Sequence, residues 1–112
     1  MLPKTSRLNL KTDFKWVAAG RKLDTKYLRL FFKEGENKIA RVGIATSTKI
    51  FKNATSRNRA RRLTATAFQT TYYLLPTNIN IVALPKAGII GVKSPMVLLD
   101  LEQSLKNAKI IN

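Results

Sequence analysis

Cysteine and histidine are both absent from this 112-residue chain. Without cysteine there is no disulfide framework and no thiolate metal site, which suits a reducing, cytoplasmic setting. Without histidine the commonest zinc ligand and the usual general base near neutral pH are gone as well. Acidic residues are scarce: the six are Asp13, Asp24, Glu34, Glu36, Asp100 and Glu102, scattered beside bases or turns. They form no carboxylate pair at hydrolase spacing, and neither a phosphate-cradling glycine loop nor a nucleophile elbow accompanies them. A protein-borne active site and a protein metal site are therefore not expected. No apolar run approaches the roughly 18 residues of a membrane span, and the N-terminus lacks the hydrophobic block of a signal peptide.

Positive charge is what the chain has in excess. Its formal net charge is +15, with a pI near 10.7. Between Asn37 and Leu99 there is no Asp or Glu, while Lys and Arg occur ten times. Such a field attracts polyanions over a Debye length of about 8 Å at physiological salt. Nucleic acid is the leading partner; a membrane surface fits less well, because no segment joins a basic face to a large apolar one. A hydrophobic content of 45% argues against disorder. The length suits one domain, residues 1–112, with a thin core.

The richest stretch runs from Lys49 to Phe68, KIFKNATSRNRARRLTATAF. Lys49, Lys52, Arg57, Arg59, Arg61 and Arg62 fall within it, with no acid among them. At about 100° per residue, Ala60, Leu63, Thr64, Ala67 and Thr71 gather on one helical stripe, leaving Asn58, Arg59, Arg61 and Arg62 on the flanks and opposite side. Asn53 suits the N-cap, where its side-chain oxygen can accept from a first-turn N–H. Cations near a helix N-terminus oppose the macrodipole, so an external anion is expected to hold them. The bland alternative is a solvated charged face, but such faces normally carry acidic partners one turn away, and this one has none.

Taken in order, residues 1–10 read as a short basic arm. Lys11 to Ala19 reads as a helix capped by Thr12 or Asp13, with Phe14, Val17 and Ala18 inward and Gly20 at its end. Tyr27 to Lys33 alternates as a strand: Leu28, Leu30 and Phe32 on one side, Tyr27, Arg29, Phe31 and Lys33 on the other. After a turn at Gly35 to Asn37, Ile39 to Ser47 reads as a second strand, antiparallel to the first by loop length. The long helix, Asn53 to Leu74, closes at Pro76. Asn80 to Leu84 is a short buried strand, and Pro85 to Lys93 a loop. A last helix opens at Ser94 as cap and Pro95 at the first position, burying Val97, Leu98, Leu101, Leu105 and Ala108. The expected fold is α+β, a small two-layer sandwich in which one mainly antiparallel four-stranded sheet is packed by helices.

Phe14, Tyr27 and Phe31 admit two uses. They can be core residues, as most aromatics in small domains are, or an exposed platform on which unpaired bases stack. Arg29 and Lys33 beside Phe31 favour a basic, aromatic groove. Trp16 is given no role.

Arg57-Asn58-Arg59, followed by Ala60-Arg61-Arg62-Leu63 and preceded by Lys49 and Ala54, resembles the RNR signature helix of the bacterial ribonuclease P protein subunit. The likeness extends over nearly the whole chain. It takes in Arg7-Leu8, Asp13-Phe14, Gly20, Arg41-Val42-Gly43-Ile44 with Ser47, and Asn80-Ile81-Val82-Ala83. This resemblance implies the fold of the second domain of ribosomal protein S5, with a left-handed β-α-β crossover against the usual right-handed rule. It also implies an accessory protein subunit of an RNA-based endoribonuclease, without protein catalytic residues, whose catalytic RNA removes the 5′ leader from precursor tRNA. Lys49, Lys52, Arg57, Asn58, Arg59, Arg61 and Arg62 would contact that RNA. Phe14, Tyr27, Phe31 and Arg41 would line a cleft for the single-stranded leader, and the Mg²⁺ would be held mainly by the RNA. No obligate protein partner is implied. The alternative is a ribosomal or general RNA-binding module without a role in tRNA processing. The chain departs from the family pattern at Ala18, Ala65, Thr66 and Gln69, where an aromatic, Arg, Glu and a further base are usual. Thr48 stands before a single Lys49 where adjacent lysines are usual.

Overall fold

The computed structural model describes residues Leu2–Ile111; Met1, the first residue of the expected arm, lies outside them. Asn9 rather than Thr12 or Asp13 caps the first helix, α1 (Leu10–Ala18), its side chain accepting from the Lys11 N–H at 3.1 Å. Thr12 and Asp13 fall inside α1, because the nearer asparagine already serves the first turn. At the far end Gly20 closes the corner. A Cβ there would lie 2.5 Å from the Phe32 carbonyl oxygen, so only glycine lets the chain pass this close to the sheet.

Four strands follow: β1 (Arg21–Asp24), β2 (Leu28–Glu34), β3 (Arg41–Ile44) and β4 (Ile79–Pro85). Their spatial order is β1-β2-β4-β3, with the first two pairings antiparallel and β3 parallel to β4. β1 supplies the strand that periodicity did not locate. Its residues, RKLD, are mostly exposed and carry no apolar alternation, so only pairing with β2 makes it a strand.

β2 and β3 do not form the expected hairpin. They run in opposite directions, but β4 lies between them. The apolar run INIVALP is covered on both faces, and the central position is the one that offers two covered faces. Residues 35–40 consequently pass around the start of β4, and Asn37 pins them there. Its amide donates to the Ile39 and Ile79 carbonyls at 2.7 and 3.2 Å, while its Oδ1 accepts from Asn80 at 2.8 Å. β3 is also shorter than its composition suggests, since pairing extends only from Arg41 to Ile44. The arm lies along its outer edge, where Arg7 bridges Val42.

The long helix α2 (Ala54–Thr71) joins β3 to β4 and ends in a 3₁₀ turn, Tyr72–Leu74, close to its expected limits. The last helix, α3 (Ser94–Asn107), starts with Ser94 already helical and Lys93 at the cap position, so Ser94 does not cap it. α2 and α3 cover one face of the sheet. Phe68, Val97, Leu101 and Leu105 meet Leu28, Leu30, Ile81 and Ala83 there, and every one of these is fully or almost fully buried. α1 lies on the other face, where Val17 packs with Val82 and Leu8. α2 approaches the sheet through small residues, Ala60, Thr64 and Ala67, and the buried Thr64 hydroxyl donates to the Ala60 carbonyl at 2.8 Å.

One carboxylate ties the β1–β2 turn to α3. Asp100 accepts from the Thr25 hydroxyl at 2.6 Å and from the Lys26 and Tyr27 N–H groups at 3.0 and 3.1 Å. Asp24, at the end of β1, pairs with Arg29 at 3.0 Å, Lys86 at 3.5 Å and Lys22 at 3.8 Å. The Arg29 hydrogen bond, then the charges of Lys86 and Lys22, hold its carboxyl below the usual aspartate range.

Two outcomes follow from these contacts. Asn53 accepts from the Ser56 N–H at 2.8 Å, and no acid in the first turn shares that task. Asn53→Ala should cost about 1 kcal/mol in urea unfolding. Because the folded carboxyl of Asp24 is depressed, its contribution is present above the unfolded aspartate value and disappears as pH falls through the folded one. The stability gap between wild type and Asp24→Asn should therefore close as pH falls through and below the ordinary aspartate range, as read by urea midpoints.

Candidate nucleic-acid interface

After β3 the chain turns sharply before entering α2. The Phe51 N–H donates to the Ser47 carbonyl at 2.9 Å, the Lys49 N–H donates to the Ser47 hydroxyl at 3.1 Å, and the Phe51 ring is buried. This anchored turn carries Lys49 and Lys52 on its exposed side. α2 then rises from its Asn53 cap with Arg57, Asn58, Arg59, Arg61 and Arg62 along its first three turns.

The seven predicted RNA-contact residues are brought to one region, but they are not equivalent. Lys49, Lys52, Arg59 and Arg62 are exposed, and their side chains make no hydrogen bond or ion pair among the described residues. Arg57 is half-buried and turned back on its own chain, its Nη1 donating to the Phe51 and Lys52 carbonyls at 2.9 and 3.2 Å. Arg61 spans from α2 to the end of β3, donating to the Thr46 hydroxyl at 3.0 Å and to the Asn58 side-chain oxygen at 3.2 Å. A groove of about 350 Å³ runs between Asn58, Arg61, Arg62, Ala65 and Thr66. Two of the departures from the family pattern, Ala65 and Thr66, thus help to shape the open side of the helix.

Among the described residues no carboxylate pairs with a cation of this surface. All three ion pairs among the described residues converge on Asp24, at the β1–β2 end of the sheet. Lys49 and Lys52 stand just before the N-terminus of α2, whose dipole disfavours cations.

The predicted cleft residues separate in space. Phe14 from α1 and Phe31 from β2 are half-buried and pack against the same small cluster as Val17 and Val82. Tyr27 does not join them. It precedes β2, its N–H held by Asp100 and its carbonyl accepting from the Lys86 N–H at 2.8 Å, and its ring lies in the main core on the α2–α3 face. The alternation that grouped it with Phe31 stops at the strand boundary. Arg29 is likewise committed, to Asp24. Arg41 is exposed and lines an open groove of about 760 Å³ with Asp13, Trp16, Glu34, Glu36 and Asn37. Phe14 and Phe31 are not in that lining.

Trp16 was missed by sequence reasoning. It is 41% exposed, borders the Arg41 groove, and the Lys33 ammonium stands 5.0 Å from its ring centroid. An indole on the helix face away from Val17 was the available signal. Among the described residues no three acidic side chains come together to hold a metal ion, and no helix is long and apolar enough to cross a membrane.

These features define an α+β domain that presents an unneutralised cationic helix. The chain belongs to the ribonuclease P protein family: the model of that family, Ribonuclease P, matches residues 2–109. A ribonuclease P protein component from Legionella pneumophila (strain Lens) is 34% identical over 87 residues, 77% of this chain and 74% of its own length. The ribonuclease P protein of Thermotoga maritima superposes with a TM-score of 0.79 at 26% identity, covering 90% of this chain and 96% of its own. That of Staphylococcus aureus shares the fold, with a TM-score of 0.81 at 22% identity over 97% of this chain and all of its own.

The four unpartnered cations generate a direct expectation. Arg59→Ala and Arg62→Ala should each weaken binding to a structured RNA and flatten the log–log salt dependence by about 0.9 per lost phosphate contact. Titrations at stepped salt read both quantities; a slope unchanged in either variant removes that arginine from the interface.

Proposed function

We propose that this protein binds the catalytic RNA of ribonuclease P and the 5′ leader of precursor tRNA, and so assists removal of that leader. The observation that carries the reading is the set of exposed, unpaired cations Lys49, Lys52, Arg59 and Arg62 at the start of α2, in a chain of this family. Neutralising phosphates releases counterions and lets two polyanions, catalytic RNA and substrate, approach one another. Arginine's planar fork takes phosphate oxygens in pairs, while the two lysines add point charges from the anchored turn.

The half-buried rings of Phe14 and Phe31, between α1 and the sheet, are the surface offered to unpaired leader bases. Trp16 and Arg41 border the neighbouring groove, where the indole would stack on a base, whereas Asp13, Glu34 and Glu36 in the same lining disfavour a phosphate there. Mg²⁺ held by the RNA would supply activated water and stabilise the departing oxygen. The protein's share is electrostatic and positional: it lowers repulsion where the RNAs meet and restrains the leader.

Cleavage of precursor tRNA at low Mg²⁺, with the cognate catalytic RNA, tests the reading. Stimulation should require both RNA and protein. Cleavage by the protein alone would make it a nuclease in its own right. No stimulation, with RNA binding intact, would leave a general RNA-binding module.

A further inference from the structure

Within the basic stretch, Arg57 stands apart from its neighbours. Its Nη1 donates to two successive carbonyls of the preceding turn, Phe51 at 2.9 Å and Lys52 at 3.2 Å. Both acceptors belong to the short segment that carries Lys49 and Lys52. That segment has few other ties: the Phe51 N–H bond to Ser47, the Lys49 N–H bond to the Ser47 hydroxyl, and the buried Phe51 ring. A carbonyl left without a donor beside a buried ring would have to be re-hydrated, and the turn would lose its restraint from the helix side. Because the guanidinium is a charged donor, each of its bonds is stronger than a neutral one.

We infer that Arg57 is a positioning residue: it fixes the turn that presents Lys49 and Lys52, and Arg59 and Arg62, not Arg57, grip phosphate from α2. Four exposed cations need a fixed spacing to meet a fixed array of phosphates, and flexible lysines on a loose turn would forfeit affinity to ordering entropy. Arg57 supplies that order before RNA arrives. Arg61 adds a second tie, from α2 to Thr46 at the other end of the connection. The inference rests on the RNA-binding reading for its consequence, but its structural half can be read without RNA.

The test compares wild type with Arg57→Ala, Arg57→Gln and Arg59→Ala. Without RNA, amide exchange at Lys49 and Phe51 should quicken in Arg57→Ala and not in Arg59→Ala, with thermal unfolding confirming that each variant folds. With the catalytic RNA, Arg57→Ala should bind about ten-fold more weakly, a 1.4 kcal/mol change, while keeping the wild-type salt slope. RNA-dependent protection of Lys49 and Lys52 from amine acylation should fall with it. Arg57→Gln is neutral, and its shorter amide can donate to at most one of the two carbonyls, so it should recover part of the affinity and protection. Should Arg57→Ala not fold, Arg57→Gln alone decides the point. A slope reduced by about 0.9 in both Arg57 variants, as for Arg59→Ala, would make Arg57 a phosphate contact and overturn the inference. Unchanged amide exchange in Arg57→Ala would overturn it as well. If wild type binds no catalytic RNA, the proposed function falls, and the exchange measurement still decides whether Arg57 holds the turn.

Discussion

The burial of β4 on both faces is the constraint from which the rest of the molecule follows. Ile81 and Ala83 serve the α2–α3 side, and Val82 serves the α1 side. A strand with two apolar faces cannot sit at an edge, so it takes a place between β2 and β3 and keeps them apart. Its parallel pairing with β3 then obliges the intervening chain to leave the sheet, run back over one face and return. α2 is that return path. The cationic surface is presented as it is because α2 has to cross here, over small residues that let its backbone come close.

Charge is distributed with the same economy. Two of the acids are committed to local tasks at the β1–β2 turn: Asp24 gathers three bases, and Asp100 closes the turn, while Asp13, Glu34 and Glu36 border the Arg41 groove. None of these tasks draws on α2. Within α2 the cations divide in turn, with Arg57 and Arg61 bonded inward and Arg59 and Arg62 facing outward. A cluster that looks uniform as sequence is therefore made of two kinds of residue. A guanidinium with five donors can hold its own chain or an external phosphate, and the position of the nearest acceptor decides which.

The chain's own letters determined a good deal. Lack of acids over its middle stretch, the Asn53 cap, the seam of Ala60, Thr64 and Ala67, and the stripe of Val97, Leu101 and Leu105 are local or periodic properties. Each survives in the structure, although Leu63 of the α2 seam and Leu98 and Ala108 of the α3 stripe are only half-buried. They were sufficient for the long basic helix, for α3 and for the α+β class. The RNR pattern carried the family, since those residues are recognisable in one dimension. Tertiary structure alone decided what depends on neighbours distant in sequence. β1 is a strand only because β2 lies beside it. β2 and β3 are separated because β4 competes for the central place with a more apolar face. Tyr27 is in the core because Asp100, some seventy residues on, holds the turn that contains it. Whether an arginine is spent inward or left open depends on an acceptor from another turn of chain. Periodicity reports which face a side chain shares, and contact partners are fixed only when the chain has folded back on itself.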